Sequence, residues 1–345
     1  MSSPSASELP KEDRVVKDTI KRLVEAFGPS GSEHQVRALI RDEIAGLADE
    51  VRTDVMGNLI ALKKGTSGVK VMLSAHMDEI GIIVSYVDEK GFARFNPIGG
   101  VRPLYEVMGR VRFEDGTVGV IGVEKLDKPG DLALSKLYLD VGASSRADCP
   151  VRVGDAGCFL RPMVEVGGHL TSKAMDDRIG CAVLVQTMRD LASSPHDVYF
   201  VFSSQEEVGL RGATTSAFGI EPHVGIAVDV TFSLDTPEPP IKMAVALDMG
   251  PAIKVKDGGM LATPWVKDWM VDTAEANDIP YQLEVLVGGT TDARAIQTTQ
   301  AGIPSGCLSI PTRYVHSPSE TVSTSDVLNS VKLLVALLSG PVPLP

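Results

Sequence analysis

Five short segments of this 345-residue chain carry histidine or carboxylate side chains where a fold can bring them to a common rim. They are His76-Met77-Asp78, Met175-Asp176-Asp177-Arg178, Gln205-Glu206-Glu207, Asp229 and His316. Two imidazoles converging with several carboxylates make a ligand set for a pair of divalent cations. Each segment alone has a plainer reading. A single histidine is more often a hydrogen-bonded surface or core residue than a ligand. Asp176-Asp177 reads equally as an acidic pair favoured by the positive end of a helix dipole. Glu206-Glu207, ordinarily a solvated face, follows the apolar run Val198-Tyr199-Phe200-Val201-Phe202, and ending a buried strand on two like charges is costly without a compensating cation. Asp229 sits in Ala227-Val228-Asp229-Val230, where an ionised carboxylate needs a metal or an arginine beside it. One constellation accounts for all five segments together.

The elements that must position these residues follow from periodicity. Helical spacing begins near Arg14, with Val15, Ile20, Leu23, Val24 and Phe27 on one face before Gly28-Pro29. Ser32 as an N-cap predicts a second helix over residues 33–47, with Val36, Leu39, Ile40 and Ile44 on its apolar side. After the turn at Met56-Gly57-Asn58, residues 69–75 read as a buried strand ending at His76. From Gly81 to Gly168 the chain turns to short apolar runs broken by Gly, Pro and Asp, the pattern of a small β-barrel or sandwich. Beyond Thr171, helices over 178–191, 265–276 and 324–338 alternate with strands over 197–203, 224–228 and 302–310. The organisation expected is an α/β domain made from residues 13–80 and 169–345, with an all-β domain of residues 81–168 inserted and a mobile tail over residues 1–12. Four of the five segments then follow strands, and ligands bind beyond the carboxyl ends of strands in an open α/β sheet. The insert holds none of the candidate ligands. It is expected to serve assembly rather than the site, with Gly81 and Gly167-Gly168 as hinge-like flanks.

Bulk properties narrow the partners. A net charge of −12 and the lack of any basic run argue against nucleic acid, whose affinity comes from clustered Lys and Arg. The amino terminus lacks the basic and apolar regions of a secretory signal, and no apolar stretch is long enough to cross a bilayer, so no membrane is implied and the cytoplasm is the expected compartment. Four cysteines (Cys149, Cys158, Cys181, Cys307) lie far apart with no CxxC spacing, which suggests neither a disulfide framework nor a thiolate zinc site.

Nearly the whole chain resembles the M42 metallopeptidases, the glutamyl and related aminopeptidases that form large tetrahedral particles. The likeness runs through Gly28-Pro-Ser-Gly-Ser-Glu33, Asp54-Val-Met-Gly-Asn-Leu59, Ala75-His-Met-Asp-Glu-Ile-Gly81 and Ala174-Met-Asp-Asp-Arg178. It continues through Ser204-Gln-Glu-Glu-Val-Gly209, Ala227-Val-Asp229, Gly289-Thr-Thr-Asp-Ala293 and Tyr314-Val-His-Ser-Pro318. The resemblance implies a phosphorylase/hydrolase-like mixed-sheet α/β catalytic domain with an inserted all-β domain, PDZ-like or a barrel, for dimerisation. It also implies dimers that assemble into a dodecamer, with the active sites inside and short or unfolded peptides as substrates. Carried over by position, it implies that Asp176 bridges two metals, zinc or cobalt, with His76 and Asp229 completing one site and Glu207 and His316 the other. Glu206 would be the general base acting on a water shared by the two cations, Asp78 the carboxylate that orients the His76 ring, and Asp177 a residue that shapes the turn. Two positions depart from the pattern. Arg294 stands after Asp292-Ala293 where relatives commonly have Gly, and Gln297 stands where they often have His.

Two rival readings follow from the same residues. Paired carboxylates also hydrolyse sugars, and some relatives carry an endoglucanase label, but a glycosidase has no general need of two histidines and a bridging Asp. A non-catalytic scaffold would have no use for Glu206 beside a full ligand set.

Overall fold

The computed structural model describes residues 11–345, with side chains from Val15 onward. The expected tail falls outside the described residues over 1–10, and Lys11 already opens the first helix, Lys11–Glu25. That helix buries Val16, Ile20, Leu23 and Val24 as its spacing requires, although Val15 faces outward and Val16 takes the inner place. The second helix is His34–Glu43, shorter at its end than the periodicity predicts, and no side chain caps it. Glu33, at the cap position, is engaged elsewhere. Its carboxylate accepts hydrogen bonds from the main-chain N–H of Gly31 (2.7 Å) and of Gln205 (3.1 Å), which ties this turn to a loop of the site.

An eleven-stranded mixed sheet forms the centre. Three of its strands, Asp197–Ser203, Lys70–His76 and Val224–Phe232, lie side by side in parallel, and Ser305–Arg313 continues the parallel set beyond Val224–Phe232. Their near-continuous burial is what helices on both faces of a parallel sheet require. Antiparallel strands flank this core, with Leu59–Lys63 and Glu50–Thr53 on one side and Glu320–Ser323, His169–Ser172 and Val164–Val166 on the other. Alternate residues of Lys70–His76 point to opposite faces. Val71, Leu73 and Ala75 join the main core with the helices Lys11–Glu25, Met175–Asp190 and Thr324–Ser339, while Met72 packs with Ile220 of the helix Arg211–Ile220 and Ile296 of the helix Asp292–Gln297.

The stretch after Gly81 forms a closed antiparallel barrel of six strands, in the order Gly81–Val87, Ala93–Ile98, Leu137–Asp140, Val118–Val123, Arg110–Phe113 and Ala156–Phe159. Ile82, Val84, Phe95, Val111, Ile121 and Leu139 fill it. Neither flank is a hinge. Gly81 is the first residue of a barrel strand, where a Cβ would stand 2.5 Å from the carbonyl oxygen of Gly157. Gly167 and Gly168, at φ 59° and 91°, form the tight turn between Val164–Val166 and His169–Ser172, two strands that already belong to the large sheet. Just before Gly81, the buried Glu79 carboxylate pairs with Lys173 (2.7 Å) and Arg178 (3.3 Å), and Arg178 also donates to the carbonyls of Leu23 and Gly28. The crossing into the barrel is therefore clamped.

Candidate metal centre

All seven candidate residues meet at the carboxyl ends of the parallel strands, beside a cleft of about 540 Å³. His76 is the last residue of its strand and Asp229 lies well along another, while Glu206-Glu207 and His316 occupy the loops that follow two more. Asp176 comes from the start of the buried helix Met175–Asp190. Asp176 and Asp177 depart from helical torsions there, and the peptide bond between them is cis. Strained backbone gathers at the same place. Ala174 (φ 55°), Gln205 (φ 56°) and His316 (φ 60°) adopt left-handed conformations although none is glycine, a placement typical of functional sites.

Asp176 stands between the two imidazoles. Its Oδ1 lies 3.0 Å from His76 Nε2 and its Oδ2 lies 3.3 Å from His316 Nε2. On the first side, Asp229 Oδ1 is 4.0 Å and Glu206 Oε2 3.9 Å from His76 Nε2. On the second, Glu207 Oε1 is 3.2 Å from His316 Nε2. The His76 ring is held by main chain. Its Nδ1–H donates to the carbonyl of Asp78 at 3.0 Å, which leaves Nε2 with a lone pair in the neutral ring and aims it at the carboxylates. The Asp78 carboxylate stands farther off, at 3.5 Å. It acts chiefly on the neighbouring loop, accepting the N–H of Glu206 (3.0 Å) and of Glu207 (3.2 Å) and the hydroxyl of Ser30 (2.6 Å). Asp177 comes close enough to His76 and Asp229 for the three to surround an ion. Its oxygens, however, accept the N–H of His76 (3.1 Å) and of Gly180 (3.1 Å), in keeping with a residue that shapes the turn.

The charge pattern asks for cations. Burial, reinforced by neighbouring carboxylates, pushes Glu206, Glu207 and Asp229 above the ordinary carboxylate range despite the nearby imidazoles. Burial also opposes charging His316, yet Glu207 and Asp176 outweigh it and hold its pKa up at about 12. Asp176 is likewise desolvated but is held below its usual value by His316 and His76. One buried oxygen, Glu207 Oε1, accepts no hydrogen bond among the described residues. Together with two imidazoles whose Nε2 atoms face carboxylates and the two-sided Asp176, this donor set fits two divalent cations. One ligand atom from each of His76, Asp176 and Glu207 lies within 4.8 Å of the others.

Two further groups belong to this architecture and were given no role from sequence. Glu320 is buried and accepts the N–H of Asp176 (3.0 Å) and of His316 (2.8 Å), bracing ligands from two distant elements. Asp292 is buried and accepts hydroxyls from Ser74 (2.7 Å) and Ser203 (2.5 Å) behind the strand ends. The barrel also comes close to the centre at Gly99 and Gly100, which meet Glu207 and His316, although it supplies none of the candidate ligands.

A model of the M42 glutamyl aminopeptidase family matches residues 57–333. A protein of Acetivibrio thermocellus named as an aminopeptidase is 49% identical over 328 residues, spanning 94% of this chain and 98% of its own. The lysyl aminopeptidase of Pyrococcus furiosus is 39% identical over 337 residues, spanning 93% and 96%. Among solved structures, an aminopeptidase of the archaeon Desulfurococcus kamchatkensis matches with a TM-score of 0.92 at 40% identity and covers 96% of each chain. The TET1 peptidase of Pyrococcus horikoshii, which can assemble into a tetrahedron or a large octahedral shell, matches with a TM-score of 0.86 at 29% identity over 94% of this chain and 100% of its own. A Thermotoga maritima protein named as an endoglucanase matches with a TM-score of 0.80 at 36% identity, over 93% and 96%.

Proposed function

We propose that this chain, which belongs to the M42 glutamyl aminopeptidase family and is an aminopeptidase, removes amino-terminal residues from short peptides with two divalent cations and a glutamate base. The observation that carries this reading is Asp176, whose two oxygens face different imidazoles. His76, Asp176 and Asp229 would hold one cation, and Asp176, Glu207 and His316 the other; zinc and cobalt suit mixed imidazole and carboxylate ligands. When bound, such a pair supplies Lewis-acid activation of water and of the scissile carbonyl. Glu206 takes the proton of the attacking water and returns it to the leaving amine. Asp78 keeps Glu206 in place through its main-chain N–H. The same carboxylates favour the positively charged amino terminus of a peptide, which makes exopeptidase action the natural outcome.

The barrel is the proposed dimerisation domain, and the dimers are proposed to assemble into a dodecamer. It exposes Leu104, Tyr105, Met108, Val118 and Val120, apolar side chains suited to burial against another copy. The TET1 likeness points the same way. A cytoplasmic setting remains part of the proposal; no helix among the described residues is long and apolar enough to cross a membrane. The glycosidase reading rests on the names of similar proteins, and two histidines facing Asp176 do not serve sugar hydrolysis. The test is a panel of aminoacyl chromogenic substrates and a cellulose oligosaccharide, offered to protein loaded with zinc, cobalt or manganese and then to protein treated with EDTA. Aminoacyl hydrolysis abolished by EDTA is expected. Cleavage of the oligosaccharide that survives chelation would overturn the reading.

A further inference from the structure

We infer that the barrel completes the second cation position, with the Gly99-Gly100 turn setting where His316 and Glu207 stand. The turn is tight, the N–H of Val101 donating to the carbonyl of Gly99 at 3.0 Å, and it is anchored on both sides because Ile98 and Val101 are buried in the barrel. A Cβ at Gly100 would stand 2.4 Å from His316 Nδ1 and 2.6 Å from its Cε1. A Cβ at Gly99 would stand 3.0 Å from Glu207 Oε2 and 2.8 Å from Ile80 Cγ2. Gly99, at φ 73°, needs glycine for its backbone as well. Gly100 does not have a positive φ, so the space taken by the His316 ring is what excludes a side chain there.

The ring is thus wedged. Its Nε2 faces Asp176 and Glu207, while its Nδ1 edge lies against the Gly100 backbone. His316 is also the most exposed of the candidate ligands, at 26% for its side chain against 2–10% for the others. A methyl group at position 100 can enter only by moving the ring, and with it the ligand nitrogen. The three nearest atoms at each glycine belong to Ile80, Glu207 and His316, and none to His76 or Asp229, so the effect falls on one position of the pair. Gly99 and Gly100 are positioning residues.

This inference rests on the two-cation reading, and the experiment separates the two. Gly100→Ala, His316→Ala and Gly130→Ala, the last with open space around its Cβ, are dialysed against graded zinc, and bound metal is counted by mass spectrometry. Circular dichroism and light scattering check fold and particle size. Gly100→Ala should keep one equivalent near its native affinity while the other loses affinity by about 10–100-fold, the range found when a group supporting a ligand is disturbed. His316→Ala should lose that same equivalent more completely, and Gly130→Ala should match the unaltered protein. Should Gly100→Ala not fold, Val101→Ala, which loosens the anchor without adding an atom, should weaken the same equivalent by a smaller factor. Native affinity for both equivalents in Gly100→Ala and in Val101→Ala, or equal weakening of both equivalents, would overturn the inference. An unaltered protein that binds fewer than two equivalents, or a His316→Ala that loses none, would overturn the two-cation reading beneath it.

Discussion

Replacing Glu206 by Gln removes one proton acceptor and disturbs little else. The side chain is nearly buried, and its carboxylate receives no hydrogen bond from the described residues; its place is fixed instead by the main-chain N–H on Asp78, which the variant keeps. An amide of the same shape can sit in that position without leaving a protein partner orphaned. What it cannot do is take a proton at neutral pH. Burial, with Asp229 and Glu207 adding to it against the pull of His76, raises the pKa of Glu206 well above 4.5, toward the range where a carboxylate is an effective base. A positioned general base contributes about 10²–10⁴-fold, or roughly 3–5 kcal/mol at about 1.4 kcal/mol per tenfold. Glu206→Gln should lose that factor in kcat with little change in KM. It should still bind the native complement of metal, because Glu206 is not among the proposed ligands. The pH profile supplies an independent sign. A base must be deprotonated to act, so kcat/KM of the unaltered enzyme should fall as pH drops through the Glu206 pKa, whereas the residual rate of the variant should lack that limb. The assay is steady-state hydrolysis of an aminoacyl chromogenic substrate across pH, with metal counted on the same samples. A kcat within tenfold of the unaltered enzyme, with metal intact, would remove Glu206 from the role of base.

The remaining predictions concern the support of the site. Glu320→Gln replaces a two-armed acceptor by a side chain with one acceptor oxygen, so the N–H of either Asp176 or His316 loses its partner; metal affinity should weaken by about 10–100-fold in equilibrium dialysis without loss of fold. In the metal-free protein His316, with its pKa up at about 12, carries a proton at neutral pH that a cation must displace, so zinc uptake should release protons and weaken as pH falls. Calorimetry in buffers of different ionisation enthalpy checks this, and absence of net proton release would contradict it. Arg178→Ala leaves the buried Glu79 with Lys173 alone and strips a donor from the carbonyls of Leu23 and Gly28. It should cost about 3–5 kcal/mol, measured as a lower denaturant midpoint.

Several candidate ligands stand out in the sequence because they adjoin a strong local signal. His76 and Glu206-Glu207 follow apolar runs that are buried as strands, and Asp229 lies inside another. The six-stranded barrel showed itself only as texture, since short strands broken by Gly and Pro announce all-β structure but not whether it closes. The supporting residues were hidden because their partners are remote in the chain. Glu33 reaches Gln205 and Glu320 reaches Asp176, pairings 172 and 144 residues apart that no spacing rule can see. Gly99 and Gly100 carry no local signal of the site, because their closeness to Glu207 and His316 exists only once barrel and sheet are packed. The helix Arg211–Ile220 escaped notice for another reason: its Gly212, Thr214, Thr215 and Gly219 are poor helix formers, and burial of Ala213, Ala217 and Ile220 overrides them. Edge strands such as Glu50–Thr53, exposed at every residue, carry no apolar alternation to read.

The central claim is that one carboxylate serves two cations, and it is tested most directly by counting metal on Asp176→Ala beside His316→Ala. Because Asp176 Oδ1 faces His76 and Oδ2 faces His316, its removal should abolish or severely weaken both equivalents together, whereas His316→Ala should weaken chiefly one. Two equivalents bound by Asp176→Ala with near-native affinity would contradict the account.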